Sequence, residues 1–183
     1  MNPHHLLASL PNLISLGRLV LVPIIVSLII QPEWGLALIL FVVAGVSDAV
    51  DGWLAKRFNL RTELGAYLDP IADKALLVSI FVSLAVVGVL PATIVILVVS
   101  RDVMIVGAVM VSWLLDKPVA IRPLLVSKLN TLAQISFASA VLAAKAFAFP
   151  LGMWFTVSLY VVAALTLASA AAYLTQWVRH MDL

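Results

Sequence analysis

Apolar residues occupy this chain in blocks about one bilayer thick, separated by short polar connections. Leu13 to Ile30 is apolar apart from Arg18 and a few small polar residues. About 20 such residues span a bilayer, so this block predicts a first membrane helix. Gln31 to Trp34 reads as a turn, and Leu36 to Arg57 as a second helix that carries Asp48 and Asp51 toward its end. After a turn at Asn59 to Thr62, a third helix runs from Glu63 to Val89, with Pro70 near enough to its start to be tolerated with a local kink. Pro91 opens a fourth helix ending at Leu115, Ser127 to Phe149 forms a fifth, and Pro150 begins a sixth that ends at Trp177. The expected fold is an all-α membrane protein: a six-transmembrane-helix bundle forming a single domain over residues 1–183.

Composition agrees with lipid as the solvent. The chain is 64% hydrophobic and 11% charged, where soluble domains average about 45–50% and about 25%. Absence of cysteine removes disulfide and thiolate chemistry. Eleven basic residues leave a net charge of +2, but they are scattered singly or in pairs, which argues against nucleic acid and for membrane orientation. Lys56, Arg57, Arg61, Lys117, Arg122, Lys128 and Arg179 fall on one predicted side, with Lys145 alone near the other. Both termini and the connection after Arg57 are therefore expected to be cytoplasmic. The start lacks a basic n-region, so the first apolar block is expected to stay as a helix. Trp34, Trp154 and Trp177 suit membrane interfaces.

Against this background, Asp48-Ala-Val-Asp51-Gly52-Trp-Leu-Ala55-Lys56-Arg57 and Gly65-Ala-Tyr-Leu-Asp69-Pro-Ile-Ala-Asp73 put four carboxylates into apolar helices. Ionisable groups there are costly and mark function. Spacings of three and four residues give each pair one helix face. Two such faces supply hard oxygen ligands suited to Mg²⁺ or Mn²⁺, and four carboxylates that converge in low dielectric repel one another unless cations are bound. Gly52 and Gly65 lie on the carboxylate faces, where glycine allows a ligand or a neighbouring helix to come close. A cation transporter would also use intramembrane aspartates, but its charges line a path across the membrane, whereas these gather in one hairpin near one face.

The pattern D-x-x-D-G-x-x-A, followed by G-x-x-x-D-x-x-x-D, resembles the signature of the CDP-alcohol phosphatidyltransferase family, matched here by Asp48, Asp51, Gly52, Ala55, Gly65, Asp69 and Asp73. Where the family has arginine after the alanine, this chain has Lys56, which keeps the charge but loses the two-armed fork. The resemblance implies a dimeric six-helix enzyme that transfers the phosphatidyl group of CDP-diacylglycerol to an alcohol and releases CMP. It implies two divalent cations held by Asp48, Asp51 and Asp69, with Asp73 at the metal site as the base, and CDP-lipid contacts from Gly52, Ala55, Lys56 and Gly65. Pro11 to Arg18 is similar to the family's opening segment. Ser100-Arg101-Asp102 and the stretch Arg122 to Gln134 are similar to the CMP-forming cardiolipin synthases, for which the acceptor is phosphatidylglycerol; in the phosphatidylglycerophosphate synthases it is glycerol 3-phosphate. Arg101, Arg122 and Lys128 are candidates for the acceptor phosphate, with pairing to Asp102 the alternative for Arg101 and attraction to anionic lipid the alternative for the other two. The implied location is a bacterial or mitochondrial inner membrane.

Overall fold

The computed structural model describes residues 3–57, 63–114 and 124–181, with side chains described from residue 14 onward except those of 51, 53–57, 63–70, 109, 113 and 181. Among the described residues every element is helical: α1 (Pro3–Ile30), α2 (Trp34–Arg57), α3 (Glu63–Val86), α4 (Ala92–Leu114), α5 (Leu125–Ala146) and α6 (Met153–Met181). Three of them are long and apolar enough to cross a membrane, over Ala92–Ser112, Leu125–Ala146 and Met153–His180; Ile14–Ile30 and Trp34–Val50 are shorter apolar stretches.

The boundaries follow local chemistry. α1 begins at Pro3, ten residues before the expected Leu13, because Leu6, Leu7, Ala8 and Leu10 favour helix beyond the apolar block and proline suits a first helical turn. α3 passes through Pro70 without a break. It ends where Gly88, at φ 75°, lets Val89 N–H reach Leu84 O at 2.8 Å and Gly88 N–H reach Ala85 O at 3.0 Å. α5 closes in the same way, three residues before the expected Phe149: Ala148 takes φ 54°, and Phe149 N–H donates to Ala144 O at 2.8 Å. Pro150 does not open α6, since its carbonyl accepts from Gly152 N–H at 3.0 Å and the Trp154 indole at 3.2 Å in a turn that precedes Met153.

The chain forms two compact units: residues 1–89 with 142–149, and residues 90–141 with 150–183. In the first, α1 packs against α2 and α3. The buried positions recur at helical spacing: Ile25 and Ile29 on α1, Ala37, Phe41 and Ala44 on α2, and Leu77, Ile80 and Leu84 on α3. These stripes decide where three ionisable residues point. Arg18 extends the α1 stripe one way, Asp48 follows Ala44 by four residues, and Asp73 precedes Leu77 by four. At the other end of the same helices, the Lys145 ammonium lies 5.7 Å from the centre of the Trp34 ring.

In the second unit α4 packs against α6. Here the buried stripes turn polar. Val98 and Arg101 on α4, Asn130 and Gln134 on α5, and Val162, Thr166 and Ser169 on α6 are all buried. Thr166 donates to Asn130 Oδ1 at 2.9 Å and accepts from Gln134 Nε2 at 3.4 Å. Trp177 is half-buried, and its indole donates to Ala108 O at 3.1 Å and Ser112 Oγ at 2.8 Å, so this tryptophan pairs α6 with α4.

Candidate active site

Asp48 and Asp51 lie in the second half of α2, and Asp69 and Asp73 in the first half of α3. The described side chains, Asp48 and Asp73, meet at one group. Arg18 of α1 places NH2 2.7 Å from Asp48 Oδ1, while its NH1 donates to Asp73 Oδ1. One guanidinium thus ties together the two halves of the motif, 25 residues apart in sequence.

Burial is unequal across the junction: the Arg18 side chain is 2% exposed, Asp48 is 41% and Asp73 is 49% exposed. A buried guanidinium requires carboxylate or other hydrogen-bonding partners, because the cost of desolvation is otherwise uncompensated. The carboxylates are the exposed side of the junction. Arg18 alone does not balance four motif carboxylates, and the donor set is hard oxygen, which fits Mg²⁺ or Mn²⁺. Among the described residues no three His, Asp or Glu side chains gather as a metal centre. The side chains of Asp51 and Asp69 lie outside the described set, as do those of Ala55, Lys56 and Gly65.

Gly52 is exposed, and a Cβ built on it meets no described atom within 4 Å. Packing against another helix is therefore not what keeps this position small among the described residues. From the sequence Arg18 is open between a phosphate contact and attraction to anionic lipid, and the structure instead pairs it with Asp48 and Asp73. Its signal was present: it is the one ionisable residue between Ile14 and Ile30.

Of the three acceptor-phosphate candidates, Arg122 lies outside the described residues and Lys128 is exposed on the first turn of α5. Arg101 is 4% exposed and engaged through every guanidinium nitrogen. Its Nε donates to Ser169 Oγ at 3.2 Å, NH1 to Asp102 Oδ1 at 2.6 Å, and NH2 to Ser127 Oγ at 2.5 Å and Ser169 Oγ at 2.6 Å. The guanidinium also lies 5.5 Å from the centre of the Tyr173 ring. The pairing with Asp102 weighed in the sequence is present.

The sequence model of the CDP-alcohol phosphatidyltransferases matches residues 8–175. The chain belongs to this family. The match runs through both compact units. The human cardiolipin synthase (CMP-forming) is 32% identical over 181 residues, which cover 90% of this chain and 60% of that protein. The CDP-diacylglycerol–glycerol-3-phosphate 3-phosphatidyltransferase of Bacillus subtilis is 35% identical over 149 residues, 73% of this chain and 76% of that protein. The cardiolipin synthase (CMP-forming) of Streptomyces coelicolor is 38% identical over 103 residues, 53% of this chain and 48% of that protein. The chain spans about 60% of the length of the human relative.

Proposed function

We propose that this chain is a divalent-metal-dependent cardiolipin synthase of phospholipid biosynthesis, joining the phosphatidyl group of CDP-diacylglycerol to phosphatidylglycerol with release of CMP. The observation that carries the reading is the meeting of Asp48 and Asp73 at Arg18, which brings the two motif helices to one point near Gly52, where no described atom lies within 4 Å of a built Cβ.

Asp48, Asp51 and Asp69 would hold two divalent cations, with Asp73 at their edge. Such ions supply charge neutralisation for a pyrophosphate and its leaving group. Asp73 takes the proton from the acceptor hydroxyl as its oxygen attacks the β-phosphorus of the CDP-lipid. The new phosphorus–oxygen bond forms as the bond to CMP breaks, and the nucleotide departs with the electron pair. Gly52, Ala55 and Gly65 leave room for the cytidine end, and Lys56 meets phosphate as a point charge.

Lys128 and Arg122 draw the acceptor phosphate. Arg101 joins them only by exchanging a serine partner for a phosphate oxygen. The apolar stretch Trp34–Val50 ends two residues after Asp48, which supports a site at the membrane edge. The distribution of lysine and arginine makes that edge cytoplasmic, in a six-span single domain that acts as a homodimer in a bacterial or mitochondrial inner membrane.

Purified chain in liposomes, given CDP-diacylglycerol with phosphatidylglycerol or with glycerol 3-phosphate, tests the acceptor. Cardiolipin and CMP are expected with phosphatidylglycerol, and EDTA should abolish both until Mg²⁺ or Mn²⁺ is restored. Product with glycerol 3-phosphate alone would replace this reading by the second one, which the Bacillus subtilis relative favours. Metal flux across the liposomes without CMP release would point to a cation transporter.

A further inference from the structure

We propose that Arg18 is a positioning residue and resident counter-cation of the carboxylate cluster, and that divalent ions bind against its charge. The proposal rests on the metal reading above. The guanidinium is buried at 2% exposure and has one arm on Asp48 and the other on Asp73, so its positive charge sits at the junction of α1, α2 and α3. Asp48 carries the first position of the metal motif and Asp73 the last. A cation within 2.7 Å of a metal-ligating carboxylate does two opposed things. It holds that carboxylate in place when no ion is present, since four unscreened carboxylates on adjacent helices would push the helices apart. It also repels an incoming cation and takes up an oxygen that the ion would use.

Stability without ions and affinity for ions are therefore coupled with opposite sign through one side chain. Coupling of this kind is reciprocal: whatever Arg18 takes from ion affinity, bound ions take from the Arg18 ion pairs. An arginine whose role was only to pack α1 against its neighbours would show no such trade, because its loss would weaken the free and the ion-loaded protein alike.

The test uses the full chain in nanodiscs, with Mn²⁺ as the probe. In Arg18→Gln, thermal unfolding in EDTA should fall below wild type, saturating Mn²⁺ should recover most of the loss, and Mn²⁺ should bind about tenfold tighter. Arg18→Lys keeps the charge without the two-armed reach. It should unfold in EDTA between wild type and Arg18→Gln, with an intermediate gain in affinity, which keeps the test open should Arg18→Gln not fold. Unchanged or weaker Mn²⁺ binding in the folded variants, or an equal loss of stability with and without Mn²⁺, would overturn the proposal. Wild-type chain that binds no Mn²⁺ would overturn the metal reading and the proposal together, whereas normal wild-type binding with unchanged affinity in the variants would overturn the proposal alone.

Discussion

Two buried arginines, each joining three helices, have been given opposite settings. Arg101 of α4 sits beside a single carboxylate, that of Asp102 at 12% exposure, and its remaining donors end on Ser127 of α5 and Ser169 of α6 under the Tyr173 ring. The guanidinium meets one carboxylate, and two serine hydroxyls take its other donors. Arg18 of α1 meets two carboxylates, each more than 40% exposed, on helices that carry two further aspartates. Among the described ion pairs, the first sets one guanidinium against one carboxylate and the second sets one against two. A buried arginine is thus no marker of function by itself. If the Arg18 junction accepts ions as proposed, what would set it apart from a structural junction is the carboxylate in excess of its guanidinium and the exposure of that carboxylate.

The largest effect expected from this contrast is on turnover. Asp73→Asn should lower CMP release by about 10²–10⁴-fold, the usual worth of a general base, with CDP-lipid binding largely kept; normal turnover would remove Asp73 as base. Next comes Arg101→Ala, which takes the buried guanidinium away from Asp102, Ser127 and Ser169. It should cost about 3 kcal/mol or more of stability, equally in EDTA and in Mn²⁺, and adding Asp102→Asn should return part of it. A loss that Mn²⁺ repairs would erase the distinction between the two junctions. Thr166→Val should cost about 1 kcal/mol, as expected for an interhelical hydrogen bond in a membrane protein, read by thermal unfolding with activity preserved; a collapse of activity at unchanged stability would tie the α5–α6 seam to the chemistry. Smallest is Lys56→Arg, where one better hydrogen bond of about 1 kcal/mol raises CDP-lipid affinity by about fivefold at most; no change in KM would confine Lys56 to orientation.

Six helices among the described residues, three of them long and apolar enough to cross a membrane, were legible in the sequence because apolar runs and helical spacing are local signals. The partners of Arg18 were not. Its contacts lie 30 and 55 residues away, and an isolated arginine in an apolar run looks the same whether it snorkels to the interface or is buried in a junction. Arg101 shows the same limit from the other side. Asp102 is its neighbour in sequence and was considered, but Ser127 and Ser169, which complete its shell, carry no signal of their own. The early start of α1 and the early close of α5 escaped because hydrophobic edges mark the bilayer, and helix ends are set by capping geometry at positions such as Ala148.

The Asn130–Thr166–Gln134 seam bears on how the chain assembles. Apolar helix faces in lipid discriminate poorly between registers, because sliding past one another by a turn exchanges one hydrocarbon contact for another. A buried threonine flanked by two amides four residues apart does not slide so freely. One turn of slippage would strand an amide against methyl groups, with no water to rescue it. The seam acts as an address: it lets α5 and α6 recognise their correct alignment only after both have entered the bilayer, when hydrophobicity no longer gives direction.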